Sequence, residues 1–163
     1  MSTEKKILLL AAVLMGLFAY GFYNIFTPDS GPISFARGSV RTLSADVMVG
    51  PYPTEVEIKE LKAKGVTEII CLMDNNNPIE AKLIEDEQAS AGKNGIVYLN
   101  FPMNFADLEN PKNIERLNVA LKHVADSNGK KIYVHCYLGR HRVGMFEKAF
   151  LKNKKSEKSP KEK

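Results

Sequence analysis

The chain opens on its longest unbroken apolar run. Ile7 to Phe26 holds 20 consecutive residues without a charge, and no face of the run is polar. A helix of that length extends about 30 Å, the thickness of a bilayer's hydrocarbon core. Tyr20, Phe22, Tyr23 and Phe26 collect at its C-terminal end, where an interfacial aromatic belt lies. The pattern predicts a transmembrane helix over 7–26. The competing reading is a cleaved signal peptide, with Ala19-Tyr20-Gly21 as its small-x-small cleavage site.

After this run the pattern changes twice. Residues 27–38 are rich in Pro, Gly and Ser and read as a linker. From there β-type and α-type patterns alternate. Ala45 to Gly50 is a short strand closed by the turn "GPYP". Thr54 with Glu57 three positions on forms a capping box, opening a helix that ends at Gly65. Val66 to Leu72 is an apolar, β-branched run of buried-strand type. Asn77-Pro78 supplies an N-cap and first helical residue for a helix to about Ala91, and Gly95 to Phe101 is the next strand.

A loop, "PMNFADLEN", precedes a helix started by Asn110-Pro111, in which Ile114, Leu117, Leu121 and Val124 fall on one apolar face. Lys131 to His135 is a further strand, and a last helix runs over 142–152. Alternating elements of this kind predict an α/β domain with a central, mostly parallel sheet of four to five strands flanked by helices. The predicted organisation is an N-terminal flank over 1–6, a transmembrane helix over 7–26, a linker over 27–38 and a folded domain over 39–152. Residues 153–163 follow as a disordered Lys-rich tail.

Charge adds one correction to the first impression. The chain carries 23 Lys and Arg against 19 Asp and Glu, a net +4. Residues 152–163 ("KNKKSEKSPKEK") contribute six lysines and two glutamates, so they account for all of it. The remainder is close to neutral, which argues against a nucleic-acid-binding domain. The tail reads as a solvated segment, with anionic lipid as the rival contact. Lys5 and Lys6 precede the apolar run, so the positive-inside rule predicts a single-pass protein with its N-terminus cytoplasmic and its domain extracytoplasmic. Signal-peptide cleavage would instead give a secreted or periplasmic protein. Two cysteines do not fix the redox compartment.

The chemistry concentrates in "VHCYLGRHRVG", residues 134–144. In α/β sheets ligands sit beyond the carboxyl ends of the strands, and this stretch leaves such an end. A short loop entering a helix can curl its backbone N–H groups into an anion-binding nest, reinforced by the helix N-terminus. Gly139 supplies the positive φ or close approach that such curling needs. Cys136 at the mouth of a positive field is expected as a thiolate, with its pKa well below the free value near 8.5. Arg142, six positions on, can clamp phosphoryl oxygens with its planar fork. The phosphate-binding loop is thus Tyr137, Leu138, Gly139, Arg140, His141 and Arg142. A buried structural Cys with incidental basic neighbours is the rival reading. Neither the three histidines nor the scattered acids make a metal set, and no cofactor is expected.

His135, Cys136, Gly139 and Arg142 match the signature of the cysteine-dependent phosphatases of the dual-specificity and protein-tyrosine type. The fuller string His-Cys-x-x-Gly-basic-His-Arg-x-Gly resembles the atypical plant and fungal dual-specificity group, associated with inositol pyrophosphates as well as phosphoproteins. The resemblance extends from about Ala45 to Lys152. It implies a phosphatase hydrolysing phosphate monoesters through a cysteinyl-phosphate, acting on a phosphorylated protein or a small polyanionic phosphate. It further implies a general acid about thirty residues before the Cys. Asp107, 29 positions ahead, fits, with Glu109 and Asn104 as rivals in the same loop. His135 is implied to support the loop, while Arg140 and His141 add charge at its rim.

Two features depart from the family pattern. Val143 stands where the family has Ser or Thr, a hydroxyl that assists breakdown of the phosphoenzyme. Turnover is therefore expected to be slow, and a catalytically impaired phosphate-binding pseudophosphatase is the alternative. The chain also ends about one helix after the loop, so a C-terminally truncated fold with a shallower site is expected. Cys71 lies in a strand that the family places beside the nucleophile's strand. It is a candidate redox partner for Cys136 or, equally, a small core residue. A rhodanese-type sulfur transferase is the remaining alternative, with a loop that is usually shorter.

Overall fold

The computed structural model describes residues 2–29 and 31–158. The chain divides into two compact units, residues 1–36 and 37–163.

In the first unit, α1 (Thr3–Phe26) carries the apolar run and α2 (Gly31–Ala36) follows it. Among the described residues α1 is the one helix long and apolar enough to cross a membrane, a property that signal sequences share. Its leucines face outward: Leu8 and Leu10 are well over half exposed. Asn24 donates to the carbonyl of Tyr20 at 2.7 Å, closing its amide within the helix. The short α2 replaces part of what the composition marks as linker.

The second unit is built on a five-stranded sheet in the order β1-β2-β5-β3-β4. Its strands are β1 (Arg41–Thr42), β2 (Val47–Pro51), β3 (Glu68–Cys71), β4 (Val97–Asn100) and β5 (Ile132–Cys136). Only β1 is antiparallel, against β2; β2–β5, β5–β3 and β3–β4 all pair parallel. The α/β expectation holds, with β2, β3, β4 and β5 each within about two residues of its predicted place. Two differences arise at the N-terminal border. β1 is too short to leave a pattern, and Arg37 and Gly38 belong to the folded unit rather than to a linker.

The helices start where their caps say. In α3 (Glu55–Ala63), Thr54 Oγ1 accepts from Glu57 N–H while the Glu57 carboxylate accepts from Thr54 N–H at 2.8 Å, the reciprocal pair of a capping box. Asn77 caps α4 (Pro78–Lys93) and Asn110 caps α5 (Pro111–Asp126), each followed by Pro at the first helical position. In α5 the buried stripe is Leu117, Ala120, Leu121 and Val124; Ile114 is exposed, and the neighbouring Asn113 is buried instead. The last helix, α6 (His141–Lys158), runs on through residues expected to form a disordered tail. Lys154 helps there by lying over the Phe150 ring, 5.1 Å from its centroid. Residues 159–163 of that tail lie outside the described residues.

Strand alternation divides the core into two layers. Ile132, Val134 and Cys136 of β5, with Ile70 of β3, pack against Leu117 and Leu121 of α5 and Val143, Phe146 and Phe150 of α6. Tyr133 and Ile69 pack with Ile58 and Leu61 of α3 and Ala91 of α4 on the other face. The two layers fix β5 on both sides, so the loop that leaves it starts from a rigid strand end.

Candidate functional site

The loop Cys136–His141 leaves the carboxyl end of β5 and closes onto the first turn of α6. Gly139 turns it, with φ at +67°. A Cβ there would lie 2.4 Å from Pro51 N and 2.5 Å from the Gly50 carbonyl carbon, so glycine is required by space as well as by φ. The loop's backbone is tied from outside. Tyr52 N–H donates to Tyr137 O at 3.1 Å and Gly38 N–H to Leu138 O at 2.8 Å.

Cys136 is buried, 3% exposed, and packs in the cluster with Val143 and Phe146. Arg142 is also buried, and Glu80 holds it in place. Arg142 Nη2 donates to Glu80 Oε1 at 2.6 Å and Nη1 to Oε2 at 2.8 Å, while Nη1 also donates to Met103 O at 3.0 Å. Three of the guanidinium's five N–H donors are thereby engaged, which leaves capacity for two more. Burial pulls the Arg142 pKa down, but the Glu80 carboxylate outweighs it and raises it above the ordinary value. Glu80 is itself held by the N–H of Asp74 at 2.6 Å. Sequence reasoning missed it: an acid in the first turn of a helix has an ordinary dipole role, and its partner lies 62 positions away.

Arg140 and His141 are exposed beside the loop, and Tyr137 and Leu138 are half-buried. Burial pushes the Tyr137 hydroxyl up to about 12, so it stays protonated at neutral pH. Val143 is fully buried in the first turn of α6, filling its position with methyl groups.

Asp107 and Glu109 are exposed in the loop between β4 and α5. That loop is shaped by buried Asn113. Its amide donates to Asn104 O at 2.8 Å and Asp107 O at 2.7 Å, and its carbonyl accepts from Asn104 N–H at 2.8 Å. Asn104, one of the rivals to Asp107, has a structural task, accepting from Ala106 N–H at 2.7 Å. Asn113 carries no sequence signal, since a polar residue on a helix's first turn looks like surface.

On the opposite face of β5, His135 is fully buried between Glu87 and two tyrosine rings. His135 Nε2 lies 2.7 Å from Glu87 Oε1, an ion pair in which the ring N–H is not aimed along the oxygen. The Tyr133 ring stacks on His135 at 5.8 Å and the Tyr52 ring meets it edge-on at 6.1 Å. Burial opposes a charge on His135, but Glu87 outweighs it and holds the imidazole pKa well above 6.5. Cys71 pairs with His135 in the β3–β5 register. The donor atoms of Cys71, Glu87 and His135 lie within 4.8 Å of one another, a set able to hold a metal ion by ligand type. No local pattern marks this group in the sequence, because Glu87 reads as one of several acids on α4. Cys71 shares the His135 face, whereas Cys136 packs in the opposite layer. A disulfide between the two would need one of these side chains to reorient.

No protein-family model and no curated protein matches the chain. Solved structures do. The chain is similar to a candidate phosphatase (DUF442) from Shewanella putrefaciens CN-32, with 22% identity, 74% of each chain covered and a TM-score of 0.59. It is similar to Tk-PTP in its active form, with 21% identity, 72% of this chain and 75% of that one covered and a TM-score of 0.57. The core catalytic domain of the PP-IP phosphatase Siw14 from S. cerevisiae matches at 16% identity over 71% of this chain and 66% of its own, with a TM-score of 0.57. The second unit therefore has the fold of the cysteine-dependent protein-tyrosine and dual-specificity phosphatases.

Proposed function

We propose that the chain is a cysteine-dependent phosphatase that hydrolyses phosphate monoesters. The observation that carries this reading is the juxtaposition at the carboxyl end of β5. Cys136 heads a loop turned by Gly139, and the loop returns through the buried, Glu80-held Arg142 at the start of α6. A phosphoryl group in the loop receives main-chain N–H donors and the remaining guanidinium donors. The Cys136 sulfur attacks phosphorus in line, an S–P bond forms and the P–O ester bond breaks. Asp107 gives its proton to the departing oxygen. A water then attacks phosphorus, its proton passes to the Asp107 carboxylate, and the S–P bond breaks to return the sulfur and release phosphate.

The likeness to Siw14 and the exposed Arg140 and His141 at the rim favour a small polyanionic phosphate over a bulky phosphoprotein. Hydrolysis of p-nitrophenyl phosphate by the full chain, alongside Cys136→Ser and Asp107→Asn, tests the reaction. A panel of phosphopeptides and inositol polyphosphates tests the class. Activity that survives Cys136→Ser overturns the mechanism.

A second reading rests on Val143. With a buried methyl-bearing side chain where the resembling family has a hydroxyl, the chain is a phosphate-binding pseudophosphatase. Phosphate binding with no turnover of any monoester would select it.

The apolar α1 supports a single-pass membrane protein with the phosphatase unit exported, and a cleaved signal sequence as the alternative. Membrane fractionation, protease protection and the mass of the mature chain separate the two.

A further inference from the structure

We propose that residues 37–41, the stretch that follows directly on the first unit in the chain, form a strap that positions the phosphate-binding loop, with Gly38 and Arg41 as positioning residues. The inference rests on the phosphatase reading of that loop and goes beyond it, because no residue of this stretch belongs to the loop itself.

Three consecutive carbonyls of the loop are held from outside. Tyr137 O accepts from Tyr52 N–H at 3.1 Å and Leu138 O from Gly38 N–H at 2.8 Å. Gly139 O accepts from Arg41 Nη2 at 3.4 Å. A trans peptide points its C=O and the following N–H in opposite directions. Holding these carbonyls outward therefore turns the N–H groups of Leu138, Gly139 and Arg140 toward the inside of the loop. Gly139 N–H meets Cys136 O at 3.3 Å, so Leu138 and Arg140 carry the inward donors that an anion would use.

The strap is fixed at both ends. Arg37 Nη2 donates to Glu57 Oε2 and to Tyr52 O, both at 2.8 Å. Arg41 pairs with Glu147 of α6 through Nη2 at 2.8 Å and Nε at 3.2 Å, and its Nη1 reaches Ser39 O at 3.1 Å. It also runs close to the loop. A Cβ on Gly38 would sit 3.1 Å from Gly139 O and 3.2 Å from Leu138 O. Glycine at 38 lets the strap reach hydrogen-bonding distance of the loop, and Arg41 ties the loop to the helix that bears Arg142.

The test uses the full chain in detergent and reads two ligands, orthovanadate for affinity and p-nitrophenyl phosphate for turnover. Gly38→Pro removes the donor to Leu138, and Arg41→Gln removes the cation that bridges Gly139 and Glu147. Each is expected to weaken orthovanadate at least tenfold per folded molecule, and Arg41→Lys to recover part of the loss. Glu147→Gln, which frees Arg41 without removing it, is expected to give a smaller loss that is not additive with Arg41→Gln. Val40→Ala, on the exposed side of the strap, is expected to leave both readouts unchanged.

A merely structural strap would lower the melting temperature and the folded fraction but leave the affinity of the folded molecules intact. That outcome overturns the inference, as does affinity within twofold of wild type in both Arg41→Gln and Glu147→Gln. Should Gly38→Pro fail to fold, these last two variants decide. Wild-type protein that binds orthovanadate without hydrolysing the ester defeats the enzyme reading while the strap is still judged on affinity. Wild-type protein that binds no orthovanadate overturns both.

Discussion

Arg142 and Glu80 form a two-pronged ion pair, with N···O distances of 2.6 and 2.8 Å, inside the fold at the start of α6. The pair fixes the guanidinium plane before any ligand arrives, so on the proposed mechanism a phosphoryl group would meet an already oriented fork. Removing Glu80 has two separable effects. Glu80→Ala leaves a buried cation unpaired, and breaking such a pair costs about 3–5 kcal/mol of stability. Glu80→Gln keeps the shape and one acceptor, so the protein is expected to fold while kcat/KM falls roughly tenfold or more, about 1.4 kcal/mol of transition-state stabilisation. Steady-state kinetics beside thermal unfolding check this. A Glu80→Gln protein with unchanged kcat/KM would show that the pair serves only stability.

Val143 sets a prediction about the order of steps. Its side chain is fully buried against the Cys136 cluster, so no hydroxyl reaches the sulfur from that position. The first chemical step is expected to outrun the second, and rapid mixing with p-nitrophenyl phosphate should show a burst close to one equivalent. Val143→Thr is nearly isosteric but buries a hydroxyl, costing about 1–3 kcal/mol if that group finds no partner. It is expected to shrink the burst and raise the steady-state rate. A linear time course in the wild type, with normal turnover, counts against the assignment.

Asp107 can be tested through the leaving group. An acid that protonates the departing oxygen matters most when that oxygen is a strong base. Asp107→Asn is expected to lower kcat/KM, which reports the first chemical step, by about 10²–10⁴-fold for phenyl phosphate but much less for p-nitrophenyl phosphate. Equal losses on both esters would assign Asp107 to loop structure instead, alongside Asn113, which already holds its carbonyl. Glu109→Gln serves as the comparison within the same loop.

These predictions separate what could be read in the chain from what could not. The loop was legible because its requirements are local: Gly139 needs its φ, Cys136 leaves a strand, and Arg142 opens a helix. Helix starts were legible for the same reason, Thr54, Asn77 and Asn110 each acting on their own first turn. What escaped is what acts across the fold. Glu80 meets Arg142 over 62 positions, and Arg41 meets Glu147 over 106. Neither acid differs locally from any surface carboxylate. Asn113 and Ile114 illustrate the same limit. The apolar period favours Ile114 as the buried residue, but the loop before α5 needs an amide to close its backbone, so the first turn buries Asn113.

The buried His135–Glu87 pair on the opposite face of β5 from Cys136 gives a pH dependence with a definite sign. Burial alone would depress the His135 pKa, but the Glu87 carboxylate 2.7 Å away raises it well above 6.5. A group whose folded-state pKa is raised binds its proton more tightly in the native chain. Its contribution to stability is complete below about pH 6.5 and is lost as pH climbs through the raised folded value, at up to about 1.4 kcal/mol per pH unit. Glu87→Gln removes the raising charge and leaves the burial, so the variant's His135 is expected to lose its proton on folding and to gain stability as pH rises toward 6.5. Over the range from about pH 6 to about pH 9 the stability gap between wild type and Glu87→Gln should therefore narrow steadily as pH rises. Denaturant unfolding of both full-length proteins at several pH values measures that gap. A gap that stays constant over this range would mean that the imidazole is neutral in the folded protein and that Glu87 acts on it without charge.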